Sequence, residues 1–572
     1  MTAPSSHATR RCVVRTPALL ADYDLRRTPV YFTEVLVIGS GVAGLSAALE
    51  AAESRDVALV AKAPLEESNT LWAQGGVAAV LGVDDSLESH RRDTMEVGQG
   101  LCEQDVVDEV TGGGRSAIES LSELGVRFDR RPNGSLELLL EGGHSHERVV
   151  HAQGDSTGKA IEQALVARVR SHPRIEAYER THVVDLLLDD AGSCLGALAI
   201  GPEGRPLVLG AARTILATGG AGCVYRETTN PPVATGDGVA IAFRAGAAVR
   251  DLEFFQFHPT TLYIAGAARL LVSEIVRGKG GILVDRHGHR FMPDYHPDGE
   301  LAPRDVVSRS IVRQMVKVND TSAYLDLSRI PGDVRQLFPH VAQVCGFFDI
   351  DIAHDRIPVR PAAHYFVGGV EVDAEGRTSI PGLLAVGEVA SSGLHGANRI
   401  GSNSLLEGLV LGRIVGSHAA RDAGGKVTLP RGPLRREETR EVSNVRLDVE
   451  DVAYSVRSLM GRMVGVERVR PDLDLAIERL DAWARYLFKF RFTSAREFEV
   501  ANLVTVARLV AESAAFREES RGTHYRTDHP ERDDARWRVH TRIVRRGSQA
   551  LLEAVPLRAP SPIQPPHAPI AP

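Results

Sequence analysis

The sequence predicts an α/β fold: a Rossmann-like nucleotide-binding domain assembled from separated segments, broken by an insertion and followed by a helical domain. Three observations carry this. Thr33 to Ala52, TEVLVIGSGVAGLSAALEAA, is an apolar run that breaks at Gly39, Gly41 and Gly44 and resumes with helical spacing. Two later apolar runs, Thr214 to Ala217 and Leu383 to Val386, also end in glycine. Past Arg431 the texture turns to long amphipathic segments.

In the opening unit each glycine has its own task. The first permits a tight turn, the second lets a pyrophosphate approach the backbone, and the third lets helix pack on strand. The amides at the helix start and the positive end of its dipole then face the phosphates. Alone, GxGxxG also fits a plain glycine turn; the strand before it and Leu45, Ala48, Leu49 and Ala52 after it favour a dinucleotide site. The second strand, Val57 to Val60, ends at Lys62, where NAD-binding folds place an acid. SNTLWAQGGVAA at 68 to 79 is too polar for a strand and reads as a glycine loop, with or without a cofactor to contact. Residues 86 to 126 read as helical, interrupted at Gly112 to Gly114. EGGHSHERVVH at 141 to 151 crowds three histidines into a loop, but their spacing fits neither a helix face nor a zinc motif. GDSTGK at 154 to 159 is one residue short of a phosphate loop and leads into a helix over 160–169.

Short strands follow at 183–188, 195–200 and 207–209. TGDG at 235 to 238 precedes a helix over 239–245. Three glycine-ended strands from residue 39 to residue 387 point to one cofactor across the carboxyl edge of one sheet. The stretch from about Glu253 to His364 is then an insertion, within which Pro303 opens a helix and puts Arg304 in its first turn.

At 572 residues the chain exceeds one core and splits into about three or four domains. A net charge of -7 gives no reason to expect nucleic acid or an anionic membrane as a partner. No apolar run approaches the roughly 18 residues of a membrane span. The five cysteines lie far apart, without ligand spacing for zinc or an iron–sulfur cluster, and read as reduced thiols of a cytoplasmic protein. No metal site is expected. Residues 1–32 read as a flexible arm, and the end as a Pro-rich disordered tail.

The opening motif, AQGGVAA (73–79), EGGHSH (141–146), QFHPT (256–260), LAPRD (301–305), PAAHYFVGG (361–369) and SGLHGANRIGSNSLLEG (392–408) follow the order found in the succinate dehydrogenase and fumarate reductase flavoprotein superfamily. The chain resembles that superfamily over roughly residues 33–545, and within it the branch that oxidises L-aspartate to iminoaspartate for NAD biosynthesis. The resemblance implies FAD in a domain made of 33–252 and 364–430, an α+β capping domain over 253–363, a C-terminal helical bundle over 431–545, and a tail over 546–572. It also accounts for Lys62, since lysine is usual there in the superfamily. It implies FAD contacts from Gly39, Ser40, Gly41, Val42, Ala43, Gly44, Lys62, Ser68, Asn69, Thr70, Gly75, Asp237, Glu388, Ser404 and Leu405. Asn69 stands where relatives carry a histidine that attaches the flavin covalently, so non-covalent FAD is expected.

The resemblance assigns carboxylate binding to His258, Ser273, His364 and Arg399, and proton transfer to Arg304, as hydride passes from C2 of the substrate to flavin N5. Arginine normally stays protonated; a helix N-terminus and neighbouring cations are expected to push Arg304 down. Glu141 is the discriminating residue. A buried carboxylate without a cation costs about 3–5 kcal/mol, so at about 1.4 kcal/mol per decade it disfavours succinate by at least two decades. The other reading pairs Glu141 with Arg148 or a histidine of its own loop. Oxygen or fumarate is the expected reoxidant, and quinolinate synthase an expected partner. The alternatives are a fumarate reductase or succinate dehydrogenase flavoprotein subunit, and a flavin-binding module without turnover.

Overall fold

The computed structural model describes residues 9–558, apart from 155, 266–269, 426, 431, 437–446 and 548. The strand Val30–Ile38 is central to a seven-stranded sheet. It pairs in parallel with Val57–Val60 on one side and Pro206–Leu216 on the other, and Leu383–Ala385 extends the parallel array beyond the last. Its carboxyl half, Val35–Ile38, is buried on both faces, as covered parallel strands are. The two stretches expected as separate strands at 207–209 and 214–217 are one strand, Pro206–Leu216. Its amino half pairs antiparallel with Cys194–Ile200 and its carboxyl half parallel with Leu383–Ala385.

Helix Val42–Ala52 leaves the glycine turn and packs along helix Asn403–Asp422. The contact depends on small residues. A Cβ at Gly412 would sit 2.8 Å from the Ala43 carbonyl oxygen, and one at Gly416 would sit 2.4 Å from that of Ala47. This close approach carries Ser404 and Leu405, at the start of the second helix, to the glycine turn of the first.

The insertion folds around a four-stranded sheet ordered Phe255–Leu262, Ile357–Phe366, Ala323–Asp326, Ile282–Val284. Its own core includes Leu283, Phe291, Val307, Ile311 and Leu325. The helix opened by Pro303 runs Arg304–Val318, with Arg304 as its first residue. Three long helices, Val449–Met463, Arg470–Leu487 and Ala495–Phe516, form the C-terminal array. The last begins with a capping box, Ser494 with Glu497, and is buried along almost its whole length. That explains its apolar residues on every side.

Both chain ends depart from expectation. Thr9–Cys12 pairs antiparallel with Gln549–Val555, which pairs in turn with His540–Arg546. Val14, Leu20 and Tyr23 are buried, and Tyr23–Asp24 pairs with Pro433–Leu434. Residues 9–32 are therefore docked, not a flexible arm, and the first 13 residues of the tail, except 548, form strand and close contacts. The remaining parts of both calls, residues 1–8 and 559–572, lie outside the described residues. Local alternation in QALLEAV was the overlooked strand signal.

The 86–126 stretch is three helices, Leu87–Val97, Gln104–Gly112 and Gly114–Glu123, with an extra break at 98–103. In the loop judged too polar for a strand, Val77–Ala78 pairs with Val149–Val150. Among the described residues no helix is long and apolar enough to cross a membrane. All five cysteines are free and buried.

Candidate active site

The glycine turn has the geometry its spacing requires. Gly39 has φ +116°, and a Cβ there would lie 2.1 Å from the Ala217 carbonyl oxygen. One at Gly44 would lie 2.0 Å from the Gly39 carbonyl oxygen. At Gly41 the nearest atom would be Thr70 Oγ1, 3.5 Å away, an ordinary van der Waals contact, and this glycine lines the cavity. The first and third are fixed by packing; the second leaves room for a ligand at the helix start.

That space is the head of a long cavity. Gly39, Ser40, Gly41, Val42, Ala43, Lys62, Ser68, Asn69, Thr70, Asp237, Glu388, Ser404 and Leu405 line it, together with His364 and Arg399. Gly44 lies beneath the turn. Gly75 does not line the cavity; a Cβ there would face Ser402 Oγ at 3.5 Å and Glu141 Oε1 at 3.9 Å. Thr70 Oγ1 accepts from the Val42 amide at 2.9 Å, and Ser68 Oγ donates to the buried Glu162 at 2.8 Å, which fixes the 68–70 loop against the turn.

Lys62 donates to Thr235 Oγ1, Asp237 and Glu499, each at 2.7 Å. Burial opposes its charge, but the two carboxylates outweigh burial and raise its pKa. Asp237 is held well below the usual carboxylate range: burial works against this, and Lys62 and His182 overcome it. Glu388 goes the other way. Burial pushes it up to about 7, although the Phe366 amide and Asn69 Nδ2 both donate to it, at 2.9 and 3.1 Å.

The substrate side is built from four segments. Glu141 is half-buried, with Ser402 Oγ donating to Oε2 at 2.6 Å and His151 Nε2 3.3 Å from Oε1. Burial alone would raise its pKa, yet His151, Ser402 and Arg304 bring it below the ordinary value. Arg148, the other candidate partner, is taken by Asp85 and Asp93 at 2.8 and 2.6 Å. Arg304 lies next to Glu141: a Cβ at Gly401 would be 3.0 Å from Glu141 Oε2 and 3.2 Å from Arg304 Nη2.

Arg304 itself corrects an expectation. Its Nε and Nη2 both donate to Glu274 Oε2, at 2.9 and 2.7 Å. Burial tends to lower its pKa, but Glu274 and then Glu141 raise it. The helix N-terminus and nearby cations do not prevail, because a carboxylate is in direct contact. Glu274 also accepts from Arg277 Nη2 at 3.0 Å and sits at about 2; burial opposes this, and Arg304 and Arg277 dominate. Of the other site arginines, Arg277 moves down through burial, and Arg399 falls to about 10 through burial and Arg304. It donates to Gln256 Oε1 and Ser404 Oγ, at 3.1 and 2.9 Å, and lies over the Tyr365 ring, 4.6 Å from its centroid.

His258 and His364 face each other with ring centroids 5.3 Å apart. Burial and the surrounding arginines hold both well below 6.5, so they are neutral imidazoles. His258 Nδ1 accepts from the Thr260 amide at 3.3 Å, which places its proton on Nε2; His364 Nδ1 meets Thr229 Oγ1 at 2.8 Å. Ser273 caps the short helix Glu274–Gly278, its Oγ accepting from the Ile275 amide at 3.5 Å.

The histidines of the 141–151 loop turn to separate partners: His144 to the Gly401 carbonyl at 3.0 Å, His146 to Ser89 Oγ at 3.0 Å, His151 to Glu141. Among the described residues one other group, His182, Asp237 and Glu499, has ligand spacing for a metal. The Lys62 ammonium already sits against both of its carboxylates.

Comparison with known proteins places this geometry. Residues 34–405 match the family described as FAD binding domain, and residues 454–565 match the fumarate reductase flavoprotein C-terminal family. The L-aspartate oxidase of Streptomyces coelicolor is 44% identical over 531 residues, 90% of this chain and 91% of that one. That of Pseudomonas aeruginosa is 43% identical over 524 residues, 88% of this chain and 96% of that one. The chain belongs to the L-aspartate oxidase family. Among solved structures, E. coli quinol fumarate reductase is 32% identical with a TM-score of 0.84, covering 93% of this chain and 98% of that one.

Members of the L-aspartate oxidase family are flavoproteins, and the cavity fits FAD on its own terms. Gly41 leaves the helix start open, and Asn69 Oδ1, Thr218 Oγ1 and Arg399 Nε are buried without a partner, as side chains awaiting a polar ligand would be. FAD is the cofactor of this chain. Sequence reasoning missed Glu274, although it follows Ser273 in the singled-out SEIVRG segment. It also missed Ser402, inside the quoted GSNSL motif, and Tyr365, inside HYF. Thr229, Asn230 and Glu499 carried no motif; Glu499 reaches Lys62 from the helical domain, which no local pattern announces.

Proposed function

We propose that this protein oxidises L-aspartate to iminoaspartate with FAD, the first step of de novo NAD biosynthesis, and that Glu141, His258, Ser273, Arg304, His364 and Arg399 bind and orient the substrate, the last two from the cavity lining. The observation that supports this best is a half-buried, ionised Glu141 beside Arg304. Arg277, Arg304 and Arg399 against Glu141 and Glu274 leave one unit of positive charge. L-aspartate carries one net negative charge; succinate carries two. A site with this balance suits the amino acid.

Arg399, with a planar face for two parallel hydrogen bonds, takes one substrate carboxylate with neutral His364. Neutral His258, Ser273 and Arg304 take the other, and Glu141 takes the ammonium. Arg304, charged and bound to Glu274, acts by electrostatics. When bound, FAD supplies the acceptor for the C2 hydride. Asn69 already donates to Glu388 and has no nucleophile, so the flavin is held without a covalent bond. Oxygen or fumarate reoxidises it, the chain is cytoplasmic, and quinolinate synthase receives the product.

The test is anaerobic mixing of the flavin-loaded protein with L-aspartate or with succinate while the flavin absorbance is followed. Bleaching by L-aspartate is expected. Bleaching by succinate alone would overturn the assignment.

A further inference from the structure

Iminoaspartate forms only if the substrate nitrogen loses a proton as C2 loses hydride, and the site as described names no group to carry that proton away. Arg304 donates to Glu274 through Nε and Nη2, and that carboxylate keeps it protonated. We infer that Glu141 and His151 form a proton relay: the ammonium proton passes to the Glu141 carboxylate, on to His151 Nε2, and out to solvent. This rests on the assignment of L-aspartate as substrate.

Three observations support the pair. His151 is 4% exposed, its Nε2 is 3.3 Å from Glu141 Oε1, and that nitrogen has no well-aligned hydrogen-bond partner in the protein. A buried polar nitrogen left without a partner beside one carboxylate oxygen calls for an explanation. Second, Ser402 holds the other oxygen at 2.6 Å from a left-handed backbone, φ +59°, an unusual conformation for serine. The carboxylate is thereby fixed with Oε1 toward the imidazole. Third, the charged neighbours do not compete for the histidine. Arg304 and Glu274 of the insertion bond each other, Arg399 bonds Gln256 and Ser404, and in the loop itself Arg148 bonds Asp85 and Asp93 while His144 bonds the Gly401 carbonyl.

The chemistry balances. One N–H bond of the ammonium breaks and its proton leaves by the relay; the C2–H electron pair goes to FAD; the C2–N bond becomes double. Imidazole is the side chain suited to exchange a proton with water near neutral pH. His151 is thus a positioning and relay residue behind Glu141.

The experiment is single-turnover anaerobic bleaching by L-aspartate across pH 6 to 9 with wild type, His151→Gln and His151→Ala. The relay requires both variants to hold FAD and to lose at least about tenfold in rate at pH 7, to recover as pH rises, and H151A to be rescued by added imidazole. A loss that is uniform across pH and indifferent to imidazole, or no loss, overturns it. Should the histidine variants not hold FAD, Ser402→Gly, which suits the left-handed backbone, carries the test. Its acidic limb must shift to higher pH, and an unshifted limb overturns the relay. Failure of the substrate assignment shows separately, as wild type that L-aspartate does not bleach.

Discussion

Replacing Glu141 by glutamine probes the substrate assignment where its energy is concentrated. The wild-type carboxylate is only 9% exposed, stays ionised despite burial, and has no arginine in direct contact. The substrate ammonium adds a charge in direct contact, where Arg304 acts only from nearby. In E141Q that ammonium is desolvated against a neutral amide, and the cost of a buried charge left without its partner is about 3–5 kcal/mol. Divided by about 1.4 kcal/mol per decade, kcat/KM for L-aspartate falls by two to three decades. Succinate gains, because the variant's extra unit of positive charge matches its second negative charge. Stopped-flow bleaching with both substrates gives the ratio directly. FAD content serves as the control, since Glu141 does not line the cofactor cavity. The expected ratio shifts by at least about a hundredfold toward succinate. A ratio within threefold of wild type would refute the role of Glu141 and, with it, the charge argument.

Three further predictions bear on separate parts of the site. Gly39→Ala forces a Cβ to 2.1 Å from the Ala217 carbonyl at φ +116°, whereas Gly41→Ala makes only an ordinary 3.5 Å contact, so G39A lowers the melting temperature of the apoprotein and G41A leaves it unchanged while weakening FAD binding at least about tenfold by fluorescence titration. Arg304→Leu abolishes turnover while the flavin stays bound; near-normal turnover removes Arg304 from the reaction. Glu388 has its folded pKa raised from 4.5 to about 7, so the folded apoprotein binds more protons than the unfolded chain between those values and loses stability as pH rises through them, by about 3 kcal/mol at most. Urea melts at pH 5 and pH 8 measure this, and the change must be absent in E388Q.

How much of this was legible depended on whether the relevant physics is local. The glycine turn was, because a positive φ at Gly39 and helix contact at Gly44 are set by neighbours a few residues away. The three strand ends were, since each repeats the same apolar-to-glycine transition. The docking of residues 9–32 was not. What holds Thr9–Cys12 in place is a strand more than 500 residues later, and a four-residue TRRC run has no amphipathic pattern to reveal it. The pKa direction of Arg304 was missed for the same reason: the helix start is visible in sequence, but Glu274 lies 30 residues away and reaches it only through the fold of the insertion.

The same distinction explains how the two halves of the site divide their work. The cofactor side is assembled around the glycine-ended strands, whose geometry any nucleotide would exploit, and it is braced from the helical domain by Glu499 on Lys62. In the function proposed above, specificity comes from elements that meet only in three dimensions: Glu141 and His151 from one loop, Ser402 from the start of a distant helix, and Arg304 from the insertion. Each alone has an ordinary reading, as a loop acid, a buried histidine, a helix cap and a surface ion pair. Together they place one anion, oriented on both oxygens, beside a permanently charged arginine. Such an arrangement has no use for a plain dicarboxylate, whose second carboxylate would meet Glu141 with like charge. A substrate that carries its own cation between two carboxylates turns that cost into recognition.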